Sequence, residues 1–418
     1  MVIQRPLYLN QLIAAKGNRM IKIVTGIRRC GKSFLLFELF YNHLITNGVR
    51  EDHIIKVDLE DHRNSSLCDP DRLIEYIDSR MTDKGMYYIL LDEVQKVGSF
   101  VDVLNSYLKI GNADVYATGS NSRFLSKDVV TEFRGRGQDI HMFPLSFSEY
   151  YYALGGDRSL RYRDYSAYGG LPQIILLDSD KTRKEYLMHL NNSVYLSDVI
   201  ERHKIRHQEE LEELLRTLAS SIGSPCNPNK LSNTFRSLKS VTISPLTVSK
   251  YLNYFCDAFL IEKAMRYDVK GKKYINTLSK YYFTDIGLRN AILGFRQNEP
   301  THIMENIIYN TLMSQGFSVD VGIVERIEKN KDGRSIRKQF EVDFVVNNAD
   351  KRYYIQSAYA IPDEEKMCQE SNSLCRIADG FKRIIIVRDD IIPYYNDYGI
   401  LMVGLLDFLL NPDIIVKN

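Results

Sequence analysis

The chain has 418 residues, 44% of them hydrophobic and 26% charged, an ordinary globular balance that predicts two to four domains with cores of their own. A net charge of only +2 excludes a molecule drawn to nucleic acid by its overall field, so any basic site has to be local. The six cysteines, Cys30, Cys68, Cys226, Cys256, Cys368 and Cys375, form no CxxC pair, and no apolar run approaches about 18 residues; the expectation is a cytoplasmic protein with reduced thiols, no leader segment and no membrane span.

The first elements alternate. Met20 to Thr25 is a short apolar run that predicts a buried strand, followed by a glycine-rich turn and a helix over Ser33 to Phe40. His53 to Leu59, Tyr87 to Leu91 and Asp114 to Thr118 predict three further strands, with helices over Asp71 to Arg80 and Phe100 to Ile110. Strand–helix alternation implies βαβ units, and strands this apolar imply a parallel sheet covered on both faces.

After Pro144 the pattern changes. From about Phe147 to Leu215 it is mostly helical and tyrosine-rich, broken by Gly169-Gly170 and Pro172, and Glu209 to Ser220 is an amphipathic helix. Asn229 to Tyr274 predicts two short helices and a β-hairpin around Lys270-Gly271-Lys272, with Phe259-Leu260-Ile261 as core. Beyond Pro300 come a helix (Met304 to Gln315), three strands (Phe317 to Val324, Phe340 to Val346, Arg352 to Gln356), a helix (Glu364 to Ile377) and a strand (Arg383 to Val387), a second, smaller α/β unit. The charged stretch Glu325 to Arg337, with Asn330-Lys331-Asp332-Gly333, predicts a hairpin loop.

Gly26-Ile27-Arg28-Arg29-Cys30-Gly31-Lys32-Ser33 fits G-x-x-x-x-G-K-[ST] between an apolar strand and a helix. Glycines let the backbone curl so that its N–H groups face a phosphate, and the following helix points its positive end at the same anion. Lys32 reaches the β- and γ-phosphates of ATP, and the Ser33 hydroxyl takes a place on magnesium. Tyr87 to Leu91 delivers Asp92 and Glu93 at a strand end, where ligands sit in open α/β sheets. Asp92 is expected to hold Mg2+, mostly through water, and Glu93 to polarise the attacking water. In Thr118-Gly119-Ser120-Asn121, Asn121 is the candidate to contact that water or the γ-phosphate, with Ser120 as runner-up. Arg136, between glycines in Arg134-Gly135-Arg136-Gly137, is the candidate to neutralise the transferring phosphoryl group, in cis or from a neighbouring subunit of a homo-oligomer.

Taken in order, GIRRCGKS, YYILLDEVQ, YATGSNSRFLS, FRGRG and PLSFSEYY resemble the AAA+-type ATPases of the bacterial and archaeal predicted-ATPase superfamily. GGLP, KYYFTDIGLRN, ENIIYN and EVDFVV resemble that family's C-terminal domain of unknown function, so the resemblance covers nearly the whole chain. It implies an α/β fold with a parallel-sheet P-loop (AAA+) core, a mostly helical winged-helix-like part and a small restriction-endonuclease-like α/β domain. The expected boundaries are 1–150 for the core, 151–228 for a helical connector, 229–299 for the winged-helix-like domain and 300–418 for the last.

Asn229 to Ser240 and Ser244 to Phe259 suit the two helices of a helix-turn-helix, with Ser244, Pro245 and Thr247 at the start of the second. Lys250 on that helix and Lys270, Lys272 and Lys273 at the hairpin form a local basic patch, the footprint of double-stranded DNA; winged helices also bind proteins. In the last domain the resemblance implies an Asp followed, on the next strand, by Glu or Gln, x, Lys. Glu305 and Asp343 supply carboxylates and Gln356 matches the Glu-or-Gln position, but Ala358 stands where the lysine belongs, which leaves a doubtful nuclease remnant. His203 and His207, four apart, read as a solvated helix face rather than a zinc site. Three functions stay open: an ATPase that moves its C-terminal domains on a partner, most simply DNA; an ATP-gated nuclease; and a nucleotide-dependent switch for a protein partner with little turnover.

Overall fold

A computed structural model describes residues 2–119, 133, 135–239, 243–297, 299–329 and 335–417. The chain divides into two compact units, one of Met1–Pro144 with Asp257–Phe259, the other of Leu145–Cys256 with Leu260–Asn418.

Among the described residues the first unit holds a five-stranded parallel sheet in the order β2-β3-β4-β1-β5, from β1 (Ile21–Thr25), β2 (Ile54–Asp58), β3 (Tyr87–Asp92), β4 (Ala113–Thr118) and β5 (Gly137–His141). All residues of β1 and β3 are buried, as strands covered on both faces must be. Ile23, Ile89, Leu91 and Val115 pack with Leu73 and Ile77 of the helix Pro70–Arg80 and with Phe100 and Leu104 of the helix Phe100–Tyr107. β5 was not legible in sequence: of its five residues only Ile140 is buried, because it is the edge strand and lacks an apolar run. Near the N-terminal ends of β1 and β4, Lys22 and Asp114 form a buried ion pair, and Asp114 also accepts from Tyr116 Oη (2.9 Å) and the Gly17 amide (3.0 Å).

In the second unit the described strands form an eight-stranded mixed sheet in the order β12-β13-β11-β10-β9-β8-β6-β7. They are β6 (Ile261–Asp268), β7 (Lys273–Phe283), β8 (Ser318–Lys329), β9 (Ser335–Asn348), β10 (Lys351–Ala358), β11 (Lys382–Val387), β12 (Tyr394–Tyr395) and β13 (Leu401–Gly404). The hairpin expected around Lys270-Gly271-Lys272 is present; Asp268 Oδ1 accepts the Lys270 and Gly271 amides at 3.1 and 2.9 Å and shapes its turn. It also joins a larger sheet. β6 pairs in parallel with β8, Arg266 beside Val321, so the hairpin extends the sheet of the C-terminal α/β part, and no sheet boundary falls near residue 300. Over Arg266–Asp268 the outer backbone groups of β6 find their partners in β8 rather than in water. The loop at 330–334 lies outside the described residues.

Gly169-Gly170 ends the helix Arg158–Tyr168. Gly169 has φ +75, and a Cβ there would lie 2.2 Å from Asp285 Oδ1; the Gly170 amide donates to Asp285 Oδ2 at 2.7 Å. Asp285 also caps the helix Ile286–Ile292 by accepting the Leu288 amide at 3.0 Å. Two sequence motifs 115 residues apart are thus one buried structural joint.

Candidate functional site

The loop from Gly26 to Gly31 leaves β1 at its C-terminal end and enters a helix that runs as Lys32–Phe34, a π-helical segment Leu35–Phe40, and Tyr41–Thr46. Gly26 (φ +140), Arg29 (φ 69) and Gly31 (φ 104) put the backbone in the left-handed region, which curls the loop. At Gly26 glycine is required twice over, since a Cβ would lie 2.2 Å from the Met142 carbonyl oxygen. Lys32 is buried, and its Nζ donates to the Gly26 and Ile27 carbonyls at 3.0 and 3.1 Å, at the mouth of the helix N-terminus. Ile27 and Cys30 are buried under the loop, with Cys30 Sγ 3.5 Å from the Met142 carbonyl. The Arg28 guanidinium reaches outward to Glu60 (2.8 Å), and Arg29 is exposed.

Two residues that sequence reasoning passed over hold this loop from behind. Buried Arg5 donates to the Cys30 carbonyl at 3.0 Å and to the Phe143 carbonyl at 2.7 Å, and Tyr8 Oη accepts the Phe143 amide at 3.0 Å. Nothing local marks them; only the return of the chain at 143 brings them to the loop.

The order of the sheet sets the rest of the site. β4 lies between β1 and β3, so its last residue, Thr118, stands between the phosphate loop and Asp92. Thr118 Oγ1 donates to Asp92 Oδ1 and accepts the Glu93 amide at 3.0 Å. Ser33 hydrogen-bonds the same Asp92 carboxylate. Burial pushes the Asp92 pKa up, the charges of Glu93 and Asp58 add to that, and the hydrogen bonds from Thr118 and Ser33 oppose it. Glu93 follows in a left-handed conformation (φ 52), and its carboxylate accepts from the Gln95 amide. Ser33 and Asp92 make an all-oxygen donor pair around a buried carboxylate, the chemistry that suits magnesium. Thr118 was visible in sequence as part of Thr-Gly-Ser-Asn, but its place depends on strand order.

Asn121, like Ser120, lies outside the described residues. Arg136 is exposed and precedes β5, whose first residue pairs with the first residue of β1; the Ile21 amide donates to the Arg136 carbonyl at 2.9 Å. It therefore sits at the N-terminal edge of the sheet, while the phosphate loop leaves the C-terminal edge. A five-residue strand separates them by about 16 Å.

In the second unit, the helices Pro228–Lys239 and Pro245–Asp257 occupy the expected helix-turn-helix positions, with Ser244 Oγ accepting the Thr247 amide at 3.1 Å. Lys250, Lys270, Lys272 and Lys273 are all exposed. Phe259, Leu260 and Ile261 are buried as expected. His203 stacks on Tyr254 with ring centroids 3.6 Å apart, and among the described residues no three His, Cys, Asp or Glu group to hold a metal.

Glu305, Asp343 and Gln356 do converge. Glu305 on the helix Pro300–Ser314 is buried and accepts from Lys280 Nζ (2.9 Å) and Tyr282 Oη (2.7 Å). Asp343 Oδ2 accepts the Ser357 amide at 2.8 Å, and Gln356 Oε1 accepts the Asp343 amide at 3.4 Å. Burial, then the charge of Glu305, holds the Asp343 carboxyl well above its ordinary pKa. Lys280, from β7, was not singled out in the sequence.

A family model described as "AAA domain" matches residues 18–151, and one described as "Domain of unknown function (DUF8612)" matches residues 159–299. An uncharacterized protein of Haemophilus influenzae is 32% identical over 418 residues, which is 98% of this chain and 99% of that one. An uncharacterized protein of Methanocaldococcus jannaschii is 29% identical over 358 residues, 83% of this chain and 76% of its own. The solved Walker-type ATPase of Pyrococcus abyssi is similar in fold, with a TM-score of 0.50 at 15% identity, over 70% of this chain and 96% of that one.

Proposed function

The chain belongs to the AAA-domain P-loop ATPase family, and from that premise we propose that it binds ATP with magnesium and hydrolyses it, using turnover to change how its second unit holds double-stranded DNA. The observation that carries the reading is the convergence of Lys32, Ser33, Asp92 and Glu93 on one end of the sheet, with Thr118 joining the last two.

Gly26 to Gly31 offer backbone N–H groups to the phosphates, and Lys32 exchanges its two carbonyl partners for the β- and γ-phosphate oxygens. Ser33 and Asp92 are the residues to hold magnesium, which when bound neutralises charge between the β- and γ-phosphates. Glu93 orients and polarises the water that attacks the γ-phosphate, and Asn121 contacts that water or the phosphoryl oxygens. Arg136, on the opposite edge from its own loop, is available to a neighbouring copy, so the reading includes a homo-oligomer with the finger supplied in trans.

Exposed Lys250, Lys270, Lys272 and Lys273 support DNA as the partner, through contacts to phosphates. Among the described residues no helix is long and apolar enough to cross a membrane, and a cytoplasmic setting is part of the proposal.

The test is steady-state ATP hydrolysis with magnesium, with and without double-stranded DNA, beside Lys32→Ala and Glu93→Gln. Loss of nucleotide binding in the first, and of DNA-stimulated turnover with binding retained in the second, is expected. Unchanged nucleotide affinity in Lys32→Ala sinks the site. Turnover indifferent to DNA transfers the partner role to a protein.

A further inference from the structure

A restriction-endonuclease-like arrangement calls for a divalent cation between the carboxylates of the first helix and the second strand, beside a lysine on the third strand. The residues at this place are arranged otherwise. The third-strand position is Ala358, buried with no polar group to offer. The cationic group comes instead from β7: Lys280 Nζ lies 2.9 Å from Glu305 Oε1 and 2.7 Å from Glu341 Oε1, and the side chain is only 3% exposed.

Several oxygens of the centre are already engaged. Glu305 Oε1 also accepts from Tyr282 Oη, and its Oε2 faces His302 Nδ1 at 3.9 Å. Asp343 Oδ2 accepts the Ser357 amide, and Gln356 brings no charge and turns its carbonyl toward the Asp343 amide and Ser373 Oγ. A buried ammonium set against the carboxylates of Glu305 and Glu341 supplies the compensation that an ion between them would supply, and it takes the Glu305 oxygen that such an ion would use.

We infer that Lys280 is the resident cation of this centre, standing between Glu305 and Glu341 in place of a metal, so that the C-terminal part of the chain holds its partner and does not cut phosphodiester bonds. The inference concerns the second unit alone and does not depend on ATP turnover.

The experiment uses the full chain without nucleotide, as Asp92→Asn to remove the P-loop cation site, titrated with Mn2+ and followed by the electron paramagnetic resonance of free Mn2+. No stoichiometric site tighter than about 1 mM is expected. One Mn2+ bound in that range, and lost when Asp343→Asn is added, overturns the inference. So does magnesium-dependent nicking of plasmid DNA that survives repurification and disappears in Asp343→Ala. Lys280→Met is the converse arm: a folded variant that gains Mn2+ binding supports the inference, and one that folds with no gain overturns it. If that variant does not fold, the Asp92→Asn titration alone decides.

Discussion

The Thr118 hydroxyl donates to the carboxylate of Asp92, and the same oxygen accepts the amide of Glu93 at 3.0 Å, so one buried side chain orients both acidic residues at the end of β3. Thr118→Val keeps the shape and removes the hydroxyl, which takes one hydrogen-bond partner from the Glu93 amide and one from the Asp92 carboxylate in a buried place. The expected cost is about 1–3 kcal/mol in denaturant unfolding. Turnover should fall by about tenfold or more with ADP affinity little changed, because the Thr118 hydroxyl bonds Asp92 and Glu93 rather than the phosphate loop. Thr118→Ser should restore most of the rate; a purely structural threonine would lose stability without this split.

Gly26→Ala should disable the loop. It asks a β-carbon to sit at φ +140 and 2.2 Å from the Met142 oxygen. Gly111→Ala is the control, with open space around its Cβ and no positive φ, and should be neutral or slightly stabilising. Calorimetric titration with ADP checks both: affinity more than about tenfold weaker for Gly26→Ala, and unchanged for the control.

Arg136 precedes β5 at the opposite edge of the sheet from its own loop, which makes action in trans testable by mixing. Arg136→Ala and Lys32→Ala should each be inactive alone. Mixed, they should regain part of the ATPase rate, since intact loops then meet intact arginines. Mixtures as inactive as the separate variants count against action in trans.

Asp285 is buried, and burial pushes its pKa up to about 6 against the amides of Gly170 and Leu288. The folded state therefore keeps a proton that the unfolded chain releases between about pH 4 and pH 6, and this group's contribution to stability falls as pH rises through that window. A shift of this size corresponds to about 3 kcal/mol. In chemical denaturation from pH 4 to 7, the Asp285→Asn variant should lack this component, so the difference between wild type and variant should vary across the window and level off above about pH 6.

Alanine at Lys270, Lys272 and Lys273 together should weaken binding to duplexes of any sequence alike. The slope of log affinity against log salt should shrink by up to about 3, one unit for each phosphate left without its lysine. An unchanged slope places the DNA-binding surface elsewhere or removes it.

Much of the site was legible because its chemistry is local. A glycine loop between an apolar strand and a helix, and an Asp-Glu pair at a strand end, are patterns within eight or so residues, and the fold sets Gly26, Lys32, Ser33, Asp92 and Glu93 at one end of the parallel sheet. β5 escaped because an edge strand needs no apolar run, and the continuation of the hairpin into the larger sheet escaped because pairing of β6 with β8 leaves no local trace.

By itself, the sequence determined the alternation of strands and helices, the curled loop and the acids that face it, since backbone freedom, burial period and charge act over a few residues. The tertiary structure alone decided what stands between those parts. Strand order put Thr118 between Asp92 and the loop, the return of the chain at 143 put Arg5 behind Cys30, and the β7 strand carried Lys280 to Glu305 and Glu341. Such pairings join residues far apart in the chain, and each buried polar group takes the partner that folding brings to it, which no local pattern specifies.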